Sequence, residues 1–432
     1  MTSKHAIDSA LAKMIRGRWL LGLALAAGAL AGGGAAQGAV FYLQELGTPH
    51  SLGTAGVANP TNTEGADAAW SNPAGLAYLK HDHVMAGVQL IVPNMRFDSG
   101  VRTGGGDDGG NAGIATAVPS LFYGRKLSDR LGFGLALAGT MGGGVDYGSD
   151  FAGRYSTIRA ELGALGLSPA FGYRVNDQWS LGAGVSIIYT LYEQELAINR
   201  SRLPGGQRGD GRLKIEKADD IGYQPFFSVN YRPREDLLLS MVYRAEMDVG
   251  LTGDVKVKNV SVPVAVDEVD LDWDNPQWLD FGLRYTHSPQ DTFYFNAGWQ
   301  DWSEFSGNRL GFSGGSLNPV VQLDRNFDDT WYAGLAFTHK NNAGAIYSFG
   351  LSYESAPVED ADRTFDLPVD AMVKLSGAYS WAGEKNLDFS LGGTVYVVGN
   401  AAIDQTSQGV RVQGSFDSNT ILFLGGTLRY RF

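Results

Sequence analysis

From Ile421 to Phe432 apolar and polar residues alternate with a period of two: Leu422, Leu424, Gly426, Leu428, Tyr430 and Phe432 share one face, and Thr427, Arg429 and Arg431 the other. That period belongs to a β-strand with one apolar and one partly charged face. Further strands follow suit. In 237–249, Leu237, Leu239, Met241, Tyr243, Ala245, Met247 and Val249 oppose Ser240, Arg244, Glu246 and Asp248. In 292–302, Phe293, Phe295, Ala297 and Trp299 oppose Tyr294, Asn296 and Gln300. A charged side chain turned toward lipid costs several kcal/mol, so the charged faces are expected to line a lumen and the apolar faces to meet the bilayer.

Two lengths of connection separate these strands. Short polar turns occur at 127–130, 176–178, 233–236, 288–291, 340–343 and 383–386. Longer Gly-, Asp- and Pro-rich segments lie near 99–115, 145–160, 198–218, 250–275, 306–328, 357–369 and 401–417. Six short turns alternating with seven long loops separate 14 strands, the arrangement of an outer-membrane barrel with short periplasmic turns and long outer loops. The predicted fold is an all-β, 14-stranded antiparallel transmembrane barrel over 81–432. Its lumen is too wide for wall side chains alone to fill.

The N-terminus divides in two. Lys13, Arg16 and Arg18 precede an apolar run from Trp19 to Ala31, and Ala36-Gln37-Gly38 offers small residues for cleavage. Residues 1–38 are therefore expected to be a signal peptide, since the run is too short to cross a bilayer as a helix. Ala39 to Lys80 lacks sustained alternation yet carries Phe41, Leu43, Leu46, Leu52, Val57, Trp70, Leu76 and Tyr78. Such a segment is either a flexible tail or a small domain packed inside the barrel, and its apolar content favours the second.

Charge and chemistry narrow the function. Residues 1–38 hold four basic residues and one acid, so their removal takes the formal net charge from −12 to −15. Nucleic acid is not an expected partner. Asp107-Asp108, Asp219-Asp220 and Glu359-Asp360 fall in predicted loops, where they serve solvation or bridge to lipopolysaccharide through divalent cations. The chain has no cysteine, which excludes thiol chemistry. His81 and His83 would share a strand face without a third ligand, so no metal site is expected. Gly132-Phe133-Gly134 lacks the third glycine of a dinucleotide fingerprint, and no cofactor or nucleophile motif is present. An outer-membrane enzyme or an adhesin is the more distant alternative; a phospholipase barrel would need a Ser, a His and an amide or acid on adjoining strands, and no convincing set emerges.

Ahead of the first strand stand Ala39-Val40-Phe41-Tyr42-Leu43-Gln44, Leu52-Gly53-Thr54-Ala55-Gly56, and Asp67-Ala68-Ala69-Trp70-Ser71-Asn72-Pro73-Ala74-Gly75-Leu76, with its Asn-Pro-Ala triplet just before that strand. These stretches resemble the outer-membrane long-chain fatty acid transporter (FadL) family, which includes TodX-like channels for aromatic hydrocarbons. Tyr243-Arg244-Ala245-Glu246, Asp301-Trp302-Ser303-Glu304-Phe305, Phe327-Asp328-Asp329-Thr330-Trp331 and Arg363-Thr364-Phe365-Asp366-Leu367-Pro368-Val369-Asp370 are similar to later family segments.

The resemblance implies a barrel closed by an N-terminal hatch (39–80), with Asn72, Pro73 and Ala74 in the gating element. It implies passive uptake of hydrophobic molecules, long-chain fatty acids first and monoaromatic hydrocarbons or alkanes as the alternative. Ala39, Val40, Phe41 and Leu43 at the extreme N-terminus would touch the ligand, and exit would be sideways through a kinked wall strand. Gly142, Gly143 and Gly144 are the kink candidate; the other reading is that the strand ends there and a loop begins. A fatty acid carboxylate would call for a basic lumen residue, and Arg244, Arg154 and Arg159 are the candidates. Each reads first as a lumen charge balanced by neighbours such as Glu246 and Asp248 and only second as a ligand clamp, and the acids Asp328 and Asp329 stand where a basic residue would be expected. The expected partners are hydrophobic small molecules, outer-membrane lipid and lipopolysaccharide, bound by a monomer.

Overall fold

The structure is a computed structural model that describes residues 40–202, 206, 208–260, 267–313 and 320–432. The expected signal peptide and Ala39 lie outside the described residues. Antiparallel strands form the wall: β2 (His83–Arg102), β3 (Thr116–Lys126), β4 (Leu131–Asp146), β5 (Arg159–Arg174), β6 (Trp179–Asn199) and β7 (Asp210–Arg234). They continue as β8 (Leu237–Arg244) with β9 (Met247–Lys258), β10 (Glu268–Asn275) with β11 (Trp278–Thr286), then β12 (Asp291–Gln300), β15 (Thr330–Lys340), β16 (Ile346–Glu354), β17 (Met372–Ala382), β18 (Leu387–Val398) and β20 (Val410–Arg431). β8 with β9, and β10 with β11, each make one interrupted wall strand, so the wall is a closed ring of 14. β13 (Gly307–Ser313), β14 (Val320–Asp324) and β19 (Ile403–Ser407) extend its long-loop end, and a short β1 (Val40–Tyr42) pairs with β4. The ring closes where β2 pairs with β20, His83 opposite Arg431 and Leu90 opposite Leu424.

All six predicted short turns join neighbouring wall strands at one end of the ring. The long connections are shorter than expected. β7 already begins at Asp210, so Asp219-Asp220 lie in a strand, and β9 and β10 occupy most of 250–275. These strands rise beyond the membrane zone, where backbone pairing continues but the outer face no longer meets lipid.

That change of surroundings is written into each long strand. In the lower part of β2, Val88, Leu90 and Val92 face outward and are 52%, 43% and 36% exposed, while His83, Met85 and Gln89 are buried inside. Farther along, the outward positions become Asn94, Arg96 and Asp98 and the inward ones Ile91, Met95 and Phe97. The period of two persists and the polarity swaps: apolar outside in the bilayer, apolar inside above it. On β16 the outward residues run Tyr347, Phe349, Leu351, Tyr353, an aliphatic position between aromatic ones. Their span is about 20 Å along the strand, close to the apolar band of such barrels.

The expectation that Glu246 and Asp248 line the lumen is overturned. The wall strand is interrupted between Arg244 and Met247, and its neighbour between Asn275 and Trp278. The interruption shifts the facing by one residue, so Arg244 is buried inside, then Met247, Val249 and Leu251 are, while Glu246 and Asp248 are exposed. Glu246, Asp248 and Asp274 gather there on the outer surface.

Residues 43–79 are largely buried and touch strands on opposite sides of the ring. Helix α1 (Pro49–Leu52) lies against β17, β18 and β20. The 3-10 turn Asn59–Thr61 meets β8 and β11. Helix α2 (Ala68–Ser71) and the 3-10 turn Pro73–Tyr78 meet β4 and β5, and the latter also β6 and β7. A segment touching inward faces on both sides of a closed ring lies in its lumen. Wall glycines permit the close fit: a Cβ on Gly182 would stand 2.0 Å from the Ala74 nitrogen, and one on Gly350 2.3 Å from the Thr54 carbonyl.

Candidate functional site

Hydrogen bonding makes the lumenal segment compact. Asp67 accepts from Thr48 Oγ1 at 2.7 Å and from Asn62 Nδ2 at 2.9 Å, all buried. Asn72 is fully buried; its Nδ2 donates to the Pro60 carbonyl at 2.8 Å and to Asn230 Oδ1 on β7 at 3.0 Å. Beside it, the Ala74 amide donates to Ser228 Oγ at 2.7 Å. The Asn-Pro-Ala triplet is thus tied to β7, with Pro73 starting the 3-10 turn where its missing N–H costs nothing.

Arg244 is also spent on this segment. Its guanidinium donates to the Trp70 carbonyl and stands 4.5 Å, 4.4 Å and 5.2 Å from the ring centroids of Trp70, Phe226 and Trp278. It is 2% exposed. The other arginines considered for a carboxylate are ion-paired: Arg154 with Asp210 at 2.8 Å, and Arg159 with Asp146 at 2.8 Å and with Glu161.

A second anchor was not legible beforehand. Lys374 on β17, 2% exposed, stands 3.0 Å from Glu354, 3.7 Å from Glu45 and 2.9 Å from Gln44 Oε1. The Tyr396 hydroxyl donates to the same Glu45. Burial pushes the Glu45 carboxyl above the usual carboxylate range, against the opposing pull of Lys374. Only the pairing of residues some 330 positions apart reveals this cluster, and no local pattern around Glu45 signals it.

Above the lumenal segment the interior is apolar. One continuous cluster joins Trp302, Phe305 and Phe327 near the long loops, Trp273 and Trp278 on the interrupted strand, and Leu46, Trp70 and Leu76 of the segment. It reaches Met141 on β4 and Leu162 on β5. Arg325 borders it, bonded to Asp366 at 2.7 Å and to Thr364 Oγ1 at 3.1 Å, with the Phe305 ring centroid 5.8 Å away. Burial alone would push the Asp366 carboxyl up, but the Arg325 guanidinium holds it below the usual range.

At Met141 the wall itself changes. β3 pairs with β4 only from Leu121–Leu137 to Lys126–Gly132, although both strands continue. The register of β4 against β5 slips between Gly139 and Met141. Beyond that slip β1 takes the freed edge, Val40 opposite Gly142 and Tyr42 opposite Met141, and the Leu43 amide donates to the Thr140 carbonyl at 3.1 Å. Gly142, Gly143 and Gly144 are strand residues paired to β5, and β4 continues to Asp146. Leu43 is buried at this junction. A Cβ on Gly139 would meet Val118 Cγ1 at 2.6 Å and Leu43 Cδ1 at 3.5 Å, so these two side chains fill the unpaired interval.

Comparison with known proteins places this architecture. A profile of the family described as outer membrane protein transport protein (OMPP1/FadL/TodX) matches residues 29–432. The long-chain fatty acid transport protein of Escherichia coli O6:H1 is 22% identical over 387 residues, covering 82% of this chain and 86% of that one. Among solved structures, a Pseudomonas aeruginosa FadL homologue superposes with a TM-score of 0.81 at 19% identity, covering 91% of this chain and all (100%) of that one. The Pseudomonas putida toluene transporter TodX gives 0.70 at 17% identity, with 91% and 100% covered. With a closed 14-stranded wall, a lipid-facing apolar band and this match over nearly its whole length, the chain belongs to the outer membrane protein transport protein (OMPP1/FadL/TodX) family and resides in the outer membrane.

Proposed function

We propose that the protein is a passive transporter that takes hydrophobic compounds from outside the cell and releases them sideways into the outer membrane. The observation that carries this reading is the continuous apolar cluster from the long-loop aromatics to Met141, ending where β4 has parted from β3. An alkyl chain gains about 0.8 kcal/mol per CH₂ withdrawn from water, so an apolar interior gives it a path that a polar pore would not. Residues 39–80 act as the hatch, with Asn72, Pro73 and Ala74 docking it and Val40, Phe41 and Leu43 holding the unpaired edge of β4. No catalytic role is assigned. Pairing of β2 with β20 joins the two outer edges of the sheet, where a partner would otherwise add, which suits a monomer among lipid and lipopolysaccharide.

Long-chain fatty acids are the first substrate class, by likeness to relatives named for them. The ion pair of Arg325 with Asp366 favours a second reading, an uncharged monoaromatic or alkane, because a carboxylate entering there would have to displace Asp366. Uptake of labelled oleate and labelled toluene by cells lacking their own transporter tests both. The protein should accelerate one or both, and Asn72→Ala should alter that rate. Equal uptake of both with and without the protein would overturn the transport reading.

A further inference from the structure

We infer that the short-turn mouth of the barrel carries a binding site for a phosphate-bearing anion, apart from the uptake path. Beneath the lumenal segment lies a cavity of about 700 Å³ lined by eight lysines and arginines and two carboxylates, Glu64 and Asp129. In a chain of formal net charge −12 this concentration of cations is local, not compositional. Part of it is compensated. Arg429 and Arg431 share Asp388 at 2.9 and 2.8 Å, Lys126 pairs with Asp129 at 2.8 Å, and Arg284 stands 3.6 Å from Glu64.

The rest is not. Among the described residues Lys80, Arg174, Arg232 and Lys340 have no carboxylate within ion-pairing distance. Arg174 donates to the Asp129 carbonyl at 2.8 Å, and Arg232 lies 4.5 Å from the centroid of the Tyr78 ring. Three polar atoms of lining residues are buried with no protein partner: the Tyr78 hydroxyl, Arg431 Nε and His83 Nε2. His83 is 4% exposed, and its Nδ1 faces the His81 carbonyl at 3.0 Å. Nδ1 therefore donates there, which leaves Nε2 as an acceptor for a protonated phosphate oxygen.

Like charges gathered in a concave, low-dielectric mouth repel one another and focus a positive potential outward. A multiply charged oxyanion relieves that repulsion; a monocarboxylate would leave most of it. Guanidinium forks match phosphate oxygens two at a time, and five of the eight cations are arginines. The ligand is therefore phosphate or a phosphomonoester group, borne by a soluble molecule or a lipid headgroup.

Calorimetric titration of the full mature protein in phosphate-free detergent with inorganic pyrophosphate tests this. Saturable binding is expected, weakened by roughly tenfold or more in the Arg232→Gln/Lys340→Gln double variant and unchanged in Lys256→Gln at the long-loop end. Absence of saturable binding to the wild type would overturn the site. So would equal affinity in a double variant whose barrel is intact by heat-shifted gel mobility. In nanodiscs, competition by phosphatidic acid but not phosphatidylcholine identifies a lipid headgroup as the source. Binding that persists undiminished beside both lipids identifies a soluble phosphate.

Discussion

Removing the Arg244 side chain would strip a cation from the Trp70 carbonyl and from three surrounding rings at once. An Arg244→Leu substitution is expected to destabilise the protein by about 3 kcal/mol, read from urea unfolding in lipid vesicles. The sequence placed this arginine on the inward face, yet its partner Trp70 lies 174 positions away and has no local signature. Lys374→Met should have a comparable effect, about 3–5 kcal/mol, because it leaves the buried Glu45 and Glu354 carboxylates together without their cation. Glu45 also sets a pH dependence. Its folded pKa is raised above 4.5, chiefly by burial, so the stability it contributes is fully present below pH 4.5 and is lost as pH rises through the raised value. Limited proteolysis of residues 43–80 should accordingly quicken from pH 4.5 upward in the wild type and show a flatter profile in Glu45→Gln.

At the scale of elements, the six short turns and the alternation of each strand were legible because turn residues and a period of two are local properties. The one-residue slips at Ala245-Glu246 and Pro276-Gln277 were not, since each is set by the opposite interruption on the neighbouring strand. The pairing of β1 with β4 joins residues about a hundred positions apart and was equally hidden. The unpaired interval between β3 and β4 invites a direct test, made clean by the absence of native cysteine. A Val118→Cys/Gly139→Cys pair, adjacent in the structure, should suppress uptake when oxidised and recover it on reduction. Unchanged uptake by a fully oxidised sample would remove this exit. The close fit of the lumenal segment makes a further prediction. Gly182→Val drives a side chain into the Ala74 backbone and should raise ion leakage through planar bilayers, whereas Gly377, whose added Cβ would meet only ordinary contacts at 3.7 and 3.9 Å, should accept valine silently.

Over the whole molecule, the exchange of polarity along the strands separates a membrane zone from an outer zone. Composition averages over both and conceals the boundary, and past the interruption between Arg244 and Met247 the acids Glu246 and Asp248 take the outward polar face of the outer zone. Leu335→Arg, at a position 63% exposed on the lipid face, should cost about 2–4 kcal/mol in folding into bilayers. Asp98→Leu in the outer zone should fold like the wild type. The closing seam ties the wall to its contents. β20 pairs with β2 along the seam, and its Thr427 hydroxyl donates to the Gly47 carbonyl, while Leu52 packs where Gly425 lacks a side chain. β20 is thus fitted to the segment that precedes β2. A seam zipped around an empty centre would lack those contacts, so closing the ring and filling it stabilise each other.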